Sequence, residues 1–195
     1  MIKKEPHKFG YSFFKAILAP IFKFYYRPTY INKEVIPKDG PIIICGNHKH
    51  LYDQCLTITS TKRMLHYMAK KEYFDGKFAW FFKTVGCISV NREIKDVDSK
   101  NKAIDLLNEN YAVGIFPEGT RNKTEEILQP LKFGTVSMAQ KTNATLVPFA
   151  ITGDYVYKSK NLKIRYGIPF KVNDMSLEEA NKKLENELLD LLNQK

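Results

Sequence analysis

Short apolar runs alternate along the chain with longer segments in which apolar residues recur at helical spacing. The short runs predict buried strands, and they lie at 41–45, 65–69, 112–116 and 146–151. The longer segments predict helices, and they lie at 51–60, 94–110 and 132–141. Strands that alternate with helices are typical of an α/β protein with a parallel sheet. We therefore expect a single α/β domain with a largely parallel central sheet flanked by helices.

The remaining elements are less regular. Residues 28–40 contain prolines and a Lys-Asp-Gly turn, and we interpret them as a connector. Pro148 lies inside the last apolar run, and because proline cannot donate to a strand ladder it predicts a sheet edge or a strand end. Residues 162–166 and 169–172 look like a final pair of strands. A capping box at 176–179 then begins a C-terminal helix.

One predicted helix, at 72–82, carries an unusual density of aromatic side chains. These are Tyr73, Phe74, Phe78, Trp80, Phe81 and Phe82. Such a cluster either forms part of the core or makes a surface or channel that contacts the apolar chain of a lipid. We expect it in the core, since aromatic side chains dominate core packing.

The N-terminal region predicts a helix over 9–27 with an apolar stripe on one side and basic residues on the other. The stripe consists of Phe14, Ile17, Leu18, Ile21, Phe22 and Tyr25. Pro20 is expected to kink or split this helix. The pattern suits a helix that lies in a membrane interface, and it also suits a helix packed on the domain's own core. We therefore divide the chain into an N-terminal amphipathic segment, 1–27, and a domain, 28–195.

The charge of the chain narrows the choice of partners. The 31 Lys and Arg residues exceed the 21 Asp and Glu residues by 10, which indicates a nucleic acid, a phospholipid surface or a phosphorylated substrate. The aromatic residues lie in apolar stripes and are not interleaved with lysine, which argues against nucleic acid. No apolar run reaches the roughly 20 residues that span a bilayer, and we expect no signal peptide. The three cysteines lie in apolar contexts without a CxxC pair, which favours a reducing cytosol and no metal site.

The first segment that could carry a reactive side chain lies at 47–53, directly after a predicted strand. Its sequence is Asn-His-Lys-His-Leu-Tyr-Asp. Residues five apart on a helix differ by about 140° in direction. His48 and Asp53 can therefore meet only if His48 lies in the loop and Asp53 lies in the first turn of the next helix. Asp53 would then accept a hydrogen bond from one ring nitrogen and leave the other free to take a proton from a hydroxyl. A solvated histidine and aspartate at a helix start is the plainer alternative.

Two more polar segments follow predicted strands. Residues 117–121, Pro-Glu-Gly-Thr-Arg, supply a tight turn, a glycine, a hydroxyl and a guanidinium, which suits a phosphate because arginine can bind it bidentately. Arg92 ends a short β-type run and either adds a second positive charge to such a site or forms a surface salt bridge. Glu118 either orients the arginines or contacts the ligand. Because ligands of open α/β sheets bind beyond the carboxyl ends of the strands, we expect His48, Arg92 and Glu118 at one edge.

Together these segments resemble the four motifs of the glycerolipid acyltransferase superfamily, which includes the lysophosphatidic acid (1-acylglycerol-3-phosphate) acyltransferases. The motifs are NHxxxxD at 47–53, GxxxxxR at 86–92, FPEGTR at 116–121 and an apolar-proline element at 147–148. Their order and spacing match those of the family, and the span from 41 to 152 covers more than half of the chain.

The resemblance implies that an acyl group passes from a thioester, acyl-CoA or acyl-carrier protein, to the hydroxyl of lysophosphatidic acid. It implies His48 as the general base, Asp53 as its orienting partner, and an acceptor phosphate site made of Arg92, Glu118, Gly119, Thr120 and Arg121. The substrate hydroxyl attacks, so no enzyme nucleophile, metal or cofactor is required. The chain lacks the long transmembrane segments of some members, so we expect segment 1–27 to contact an anionic membrane surface. The expected location is the cytoplasmic face, as a peripheral, monotopic enzyme without a nucleic-acid partner.

One position departs from the family pattern. Residue 50 is His where the family commonly has Ser, and its spacing to Asp53 also allows contact inside a helix, so His50 is a rival base. We favour His48. The function has two alternatives: the same chemistry on glycerol-3-phosphate or another lysolipid, and a non-catalytic basic module that binds lipid or nucleic acid.

Overall fold

The structure is a computed structural model that describes residues 5–91, 93–94 and 96–194. Within these residues seven strands form one sheet: β1 (Thr29–Ile31), β2 (Ile42–Gly46), β3 (Leu65–Lys70), β4 (Ile88–Val90), β5 (Ala112–Ile115), β6 (Thr145–Thr152) and β7 (Lys163–Tyr166). The strand order is β1-β7-β6-β2-β5-β3-β4. All pairings are parallel except that of β7 with β6. The predicted α/β fold with a largely parallel sheet is confirmed.

Helices cover both faces of this sheet. The described residues form α1 (Lys8–Tyr26), α2 (Asp53–Ser60), α3 (Glu72–Asp75), α4 (Ala79–Thr84), α5 (Val97–Asn108), α6 (Gly134–Thr142) and α7 (Leu177–Asn193), with a short 3-10 helix at Lys33–Val35. Successive side chains of a strand point to opposite faces. Ile43 and Cys45 of β2 therefore join the core beneath α5, α6 and α7. Ile42 and Ile44 join the second core, beneath α1 and α2.

The predicted C-terminal helix begins where its capping box lies. The Ser176 hydroxyl accepts the N–H of Glu179, and the Glu179 carboxylate accepts the N–H of Ser176. Two otherwise unpaired N–H groups of the first turn are satisfied in this way. The buried stripe of α7 consists of Ala180, Leu184, Leu188 and Leu191.

The expectation that Pro148 marks a sheet edge or a strand end is wrong. Pro148 lies in the middle of β6, between β2 and β7. The N–H of Leu146 points toward the β7 side, where it bonds Phe170, so the nitrogen of Pro148, two residues on, faces the same side. The chain opposite is interrupted there, because the ladder with β7 starts only at Phe149 and the carbonyl of Pro148 accepts the N–H of Gly167. Proline is tolerated because no ladder donor is needed at that point.

Two other short elements differ from the sequence prediction. Residues 29–31, inside the predicted connector, form β1, which pairs parallel with β7 at the end of the sheet. Residues 169–172 do not form a strand partner of 162–166. Only Phe170 makes a bridge, and it bonds Leu146 of β6. A three-residue strand such as β1 is too short to produce an alternation that a sequence could reveal.

The aromatic segment at 72–82 is neither one helix nor part of the core. It forms α3 and α4, which are separated around Gly76, and neither helix contains a buried residue. Phe78 is 59% exposed and Trp80 is 58% exposed. The ring centroid of Trp80 lies 5.8 Å from that of Phe14 on α1, so the two segments form one aromatic surface.

The helix α1 has apolar side chains on two sides. Phe14 and Phe22 pack toward the domain, while Ile17 and Ile21 of the predicted stripe point outward. The helix continues through Pro20 without being split. Among the described residues there is no helix with both the length and the apolar character needed to cross a bilayer.

Candidate active site

Three loops meet at the carboxyl edge of the sheet. The strand β2 lies between β6 and β5, and all three are parallel, so their carboxyl ends face the same side. The loop after β2, residues 47–52, is therefore flanked by the loop after β5 and the loop after β6. Hydrogen bonds to both neighbours hold this central loop in place.

His48 and Asp53 are brought together by this arrangement. His48 lies in the loop and Asp53 is the first residue of α2. The Nδ1 of His48 lies 2.8 Å from Oδ2 of Asp53. Because an ionised carboxylate only accepts hydrogen bonds, Nδ1 carries the proton in this pair and Nε2 is the basic nitrogen. Nε2 makes no hydrogen bond to any residue that the structure describes.

The Asp53 carboxylate is fully buried and is held by four donors. Its Oδ2 accepts the imidazole N–H of His48 and the backbone N–H groups of Lys49 and His50, the last two at 2.7 Å. Its Oδ1 accepts the hydroxyl of Tyr155 at 2.7 Å. A buried carboxylate with this many donors keeps a fixed direction, which in turn fixes the tautomer and orientation of the imidazole.

The Asn47 side chain fixes the point at which the loop leaves the sheet. The ladder between β2 and β6 ends with Gly46 opposite Phe149. Beyond it, the Asn47 amide donates to the carbonyl of Ile151 at 3.0 Å and accepts the N–H of Ile151 at 2.7 Å. The side chain thus satisfies two backbone groups of β6 while the main chain turns away toward α2.

Glu118 holds the same loop from the β5 side. It is only 3% exposed, and its Oε1 accepts the backbone N–H of His48 at 2.7 Å. Its Oε2 accepts the N–H of Gln129 at 2.9 Å. The carbonyl of His48 accepts the N–H of Asn122 at 2.6 Å. Both backbone groups of His48 are therefore bonded to the segment that carries the FPEGTR motif.

The imidazole of His48 lies flat on the ring of Phe116. The ring centroids are 3.9 Å apart and the planes differ by 11°. Together with the bond to Asp53, this contact leaves the ring little freedom to rotate. The His48 side chain is 12% exposed, so most of the ring is shielded from solvent.

His50, the rival base, is placed differently. Its backbone N–H donates to Asp53, but its ring stacks on Tyr155, with centroids 4.2 Å apart. Its Nδ1 accepts the N–H of Tyr52 at 3.3 Å. The imidazole of His50 is therefore not oriented by the carboxylate of Asp53, and that of His48 is.

The predicted phosphate-binding residues lie on the turn that contains Glu118. Gly119 has a positive φ of 74°, and its N–H bonds the carbonyl of Phe116 at 2.9 Å, which closes the turn. Thr120 and Arg121 follow and are exposed. Within the described residues no carboxylate pairs with Arg121, so the ion pair considered for Glu118 and the arginines does not form there. Arg92 lies outside the described residues.

Burial perturbs the titration of two groups at the site. It raises the pKa of Glu118, an effect that the N–H donors of Gln129 and His48 oppose. It also raises the pKa of Tyr155 far above its usual value, and the neighbouring charge of Asp53 adds to this shift. The hydroxyl of Tyr155 is therefore a neutral donor at every physiological pH. Across the described residues, no group of three or more His, Cys, Asp or Glu side chains is arranged to hold a metal ion.

Sequence reasoning anticipated the contact between His48 and Asp53 and overlooked Asn47, Phe116 and Tyr155 as members of the site. Tyr155 is 102 residues from its partner Asp53 in the sequence, so no local spacing connects the two. The only available signal is its place shortly after the last parallel strand, at the edge where the other site residues lie.

The sequence is similar to that of known proteins from one family. A family model described as Acyltransferase matches residues 27–152. The chain is 36% identical over 151 residues to the 1-acyl-sn-glycerol-3-phosphate acyltransferase of Bacillus subtilis, and the match covers 74% of each protein. It is 32% identical over 138 residues to the protein of the same name from Borreliella burgdorferi, a match that covers 69% of this chain and 55% of the relative.

A solved structure shares the fold. The crystal structure of the 1-acyl-sn-glycerophosphate (LPA) acyltransferase PlsC from Thermotoga maritima superimposes with a TM-score of 0.74 at 22% sequence identity. The match covers 98% of this chain and 83% of the other.

Proposed function

Because the chain belongs to the acyltransferase family, we propose that it moves a fatty acyl group to the free hydroxyl of 1-acylglycerol-3-phosphate and so yields phosphatidic acid. The donor is a thioester, acyl-CoA or acyl-carrier protein, used as a co-substrate. One observation supports the proposal more strongly than the others. The imidazole of His48 is held by the buried carboxylate of Asp53, with its second nitrogen unbonded among the described residues, beside a turn that ends in an exposed arginine.

In the proposed reaction His48 is the general base. Its Nε2 takes the proton of the acceptor hydroxyl as the oxygen attacks the thioester carbonyl, and Asp53 stabilises the imidazolium that forms. The tetrahedral intermediate then collapses, the carbon–sulfur bond breaks, and the imidazolium returns the proton to the leaving thiolate. An ester and a free thiol result. General base catalysis of this kind typically contributes about 10²–10⁴-fold to the rate.

The turn at 118–121 is the proposed site for the acceptor phosphate. The guanidinium of Arg121 suits bidentate binding of phosphate oxygens, and the hydroxyl of Thr120 adds a donor. Gly119 allows the backbone to approach the ligand closely. Arg92 is assigned to the same site by the family motif alone. Glu118 has both oxygens occupied by backbone donors, so we assign it a positioning role and not a direct contact with substrate.

The proposed location is an anionic membrane surface at the cytoplasmic face. The outward side of α1 exposes a row of large apolar side chains: Phe9, Phe13, Ile17, Ile21 and Phe24. Phe78 and Trp80 of the neighbouring segment are also exposed, and the ring of Trp80 contacts Phe14 of α1. We name the seven exposed side chains the apolar surface. Aromatic and aliphatic side chains at this density suit insertion at the boundary between headgroups and acyl chains.

Lysine side chains flank the apolar surface. The ammonium group of Lys158 lies 4.8 Å from the ring centroid of Phe24, and that of Lys77 lies 5.5 Å from that of Phe78. Lysines at these positions would meet anionic headgroups when the rings enter the bilayer. Segment 1–27 is thus proposed as the membrane-interacting part and 28–195 as the acyltransferase domain. A peripheral position gives the active site access to a substrate that resides in the membrane.

The test is an acyl-transfer assay with the full chain and anionic vesicles. Thiol release and phosphatidic acid formation are measured with lysophosphatidic acid as acceptor and with acyl-CoA and acyl-carrier protein as parallel donors. Glycerol-3-phosphate and other lysolipids are run as alternative acceptors. We expect turnover with lysophosphatidic acid, and we expect His48→Ala to abolish it while circular dichroism shows an unchanged fold. Full activity of His48→Ala would refute the assignment of the base, and turnover confined to another acceptor would refute the assignment of the substrate.

A further inference from the structure

Tyr155 lies between the catalytic pair and the helix α1. Its hydroxyl donates to Oδ1 of Asp53 at 2.7 Å, and its ring packs against aromatic residues at the end of α1. We propose that Tyr155 is a positioning residue: it fixes the Asp53 carboxylate, and it makes the alignment of that carboxylate depend on how α1 is seated on the domain. The role in catalysis rests on the function proposed above, and the geometric part can be tested without turnover.

The two oxygens of Asp53 are held by different parts of the chain. Oδ2 accepts hydrogen bonds from His48, Lys49 and His50, all from one side of the carboxylate. Oδ1 has Tyr155 as its partner among the described residues. Rotation of the carboxylate about its Cβ–Cγ bond would move both oxygens, so its plane is held most firmly when each oxygen has a hydrogen-bond donor of its own. The hydroxyl of Tyr155 therefore supplies the second point that fixes the carboxylate plane.

The other end of Tyr155 is held by α1. The ring centroid of Tyr155 lies 5.4 Å from that of Tyr26 and 6.5 Å from that of Phe22. The loop that carries Tyr155 is also tied to the helix through its backbone, because the N–H of Lys158 donates to the carbonyl of Tyr25 at 2.8 Å. A shift of the C-terminal turn of α1 would thus displace the ring of Tyr155 and, through its hydroxyl, Oδ1 of Asp53.

The effect of removing the Tyr155 hydroxyl depends on the other groups around Asp53. The titratable and charged neighbours lie on several elements. They are His48 and His50 on the loop, Cys55 on α2, Tyr67 on β3, Glu118 on the β5 side and the ammonium group of Lys49, which bonds Gly153 and Asp154. None of these replaces the donor to Oδ1. Without that donor the carboxylate charge is less dispersed, so it attracts the imidazolium of His48 more strongly. The imidazole then holds its proton to higher pH.

The first experiment compares Tyr155→Phe with Tyr157→Phe in the full chain. The first change removes the hydroxyl and keeps the ring, and the second does the same at an exposed tyrosine of the same loop. We expect Tyr155→Phe to lower kcat about tenfold with KM changed less than about twofold, because the substrate contacts are untouched. The acid limb of the pH–rate profile should move upward by about half a unit or more. Tyr157→Phe should match the wild type.

The second measurement needs no substrate. The imidazole pKa of His48 is followed by NMR in wild type, Tyr155→Phe and Tyr157→Phe, with His48→Gln used to assign its signals among the four histidines. We expect the pKa of His48 to rise in Tyr155→Phe alone. An unchanged pKa of His48 in a folded Tyr155→Phe variant would overturn the proposal, whether or not the protein turns over lysophosphatidic acid.

The role of α1 is tested by a double-mutant cycle. Tyr26→Leu loosens the ring of Tyr155 from the helix end and leaves its hydroxyl in place. If α1 acts through Tyr155, Tyr26→Leu should raise the pKa of His48 in the wild-type background and have little further effect in Tyr155→Phe. Fully additive shifts would mean that α1 reaches His48 by another route, which would overturn the link to α1. Absence of acyl transfer together with the expected pKa shifts would refute the proposed function and leave the positioning geometry intact.

Discussion

The carboxylate of Glu118 accepts the backbone N–H of His48 at 2.7 Å, so the turn after β5 supports the loop after β2. The second oxygen of Glu118 accepts the N–H of Gln129 at 2.9 Å. The residue thus connects three segments of the chain beneath the proposed base. Its charge is dispersed over two backbone donors, and among the described residues it does not pair with Arg121.

Glu118→Gln should be destabilising although it preserves shape. An amide keeps one acceptor oxygen and presents an NH₂ group to the other backbone N–H, so one buried donor loses its partner at a cost of about 2 kcal/mol. We expect a free energy of unfolding lower by about that amount and a clear loss of kcat, measured by urea denaturation and acyl transfer. Glu125→Gln, on an exposed part of the adjoining loop, should leave both quantities unchanged. Equal effects of the two substitutions would contradict the assigned role.

Asp53→Asn should impair both catalysis and folding. The amide nitrogen cannot accept the hydrogen bonds that now converge on the carboxylate, and the imidazolium loses its counter-charge. We expect kcat to fall by about 10²-fold or more and stability to fall by about 1–3 kcal/mol. The control is Asp154→Asn, which changes a nearby carboxylate that is 70% exposed and pairs with Lys49. Near-normal turnover by Asp53→Asn would remove the carboxylate from the mechanism.

The two histidines of the loop can be separated by matched substitutions. His48→Gln removes the ring that is bonded to Asp53, and His50→Gln removes the ring that stacks on Tyr155. We expect at least a 10²-fold loss of kcat for the first and less than about a fivefold loss for the second. Both variants should show wild-type circular dichroism. The reverse order of activities would make His50 the base.

Neighbouring phenylalanines on α1 should report on two different surfaces. Phe13 is 54% exposed on the apolar surface, whereas Phe14 packs on Phe81 with ring centroids 5.0 Å apart. Phe13→Ser should weaken sedimentation with anionic vesicles by about tenfold, since inserting an aromatic ring contributes about 1.5 kcal/mol or more, and should leave Tm nearly unchanged. Phe14→Ser should lower stability by about 2 kcal/mol. Wild-type vesicle binding by Phe13→Ser would argue against the proposed membrane contact.

Lys15 provides a prediction for pH dependence. Burial lowers its pKa to about 8 from 10.5, and its ammonium group donates to the carbonyl of Thr61 at 2.5 Å. Because the folded state releases this proton more readily than the unfolded state, the contribution of Lys15 to the free energy of unfolding rises as the pH increases from about 8 to 10.5. Lys15→Met should remove that rise.

Denaturation of Lys15→Met at pH 7 and pH 10 measures this effect. Since the side chain is partly exposed, solvent screening reduces the difference to about 1 kcal/mol. Lys141→Met, at an exposed position of α6, serves as the control and should retain the wild-type pH slope. If the free energy of unfolding of Lys15→Met depended on pH as in the wild type, Lys15 would be solvated in the wild-type protein.

The sequence was sufficient to predict the elements whose signal is local. The strands β2, β3, β5 and β6 are predominantly apolar. The five-residue separation of His48 and Asp53 allowed them to meet in one way, which is the observed one. The fold class and the edge of the sheet that carries the site follow from the same patterns. These features depend on residues close together in the chain.

The features that were missed depend on distant partners. Pro148 sits in an interior strand because the chain opposite it is interrupted, and nothing near Pro148 reveals that interruption. Asn47 is hydrogen-bonded to Ile151, and Asp53 to Tyr155, and each pair is separated by more than 100 residues of sequence. The exposure of Phe78 and Trp80 was also unexpected, because hydrophobicity alone does not distinguish a core from a surface that meets a bilayer.

The anchoring of both carboxylates by main-chain donors has an evolutionary consequence. Asp53 relies on the amides of Lys49 and His50, and Glu118 relies on those of His48 and Gln129, and an amide N–H is present whatever side chain follows it. The side chains at 49, 50 and 129 can therefore be substituted without loss of the backbone hydrogen bonds that hold Asp53 and Glu118. That freedom lets a histidine stand at position 50 while the hydrogen bonds that hold Asp53 persist.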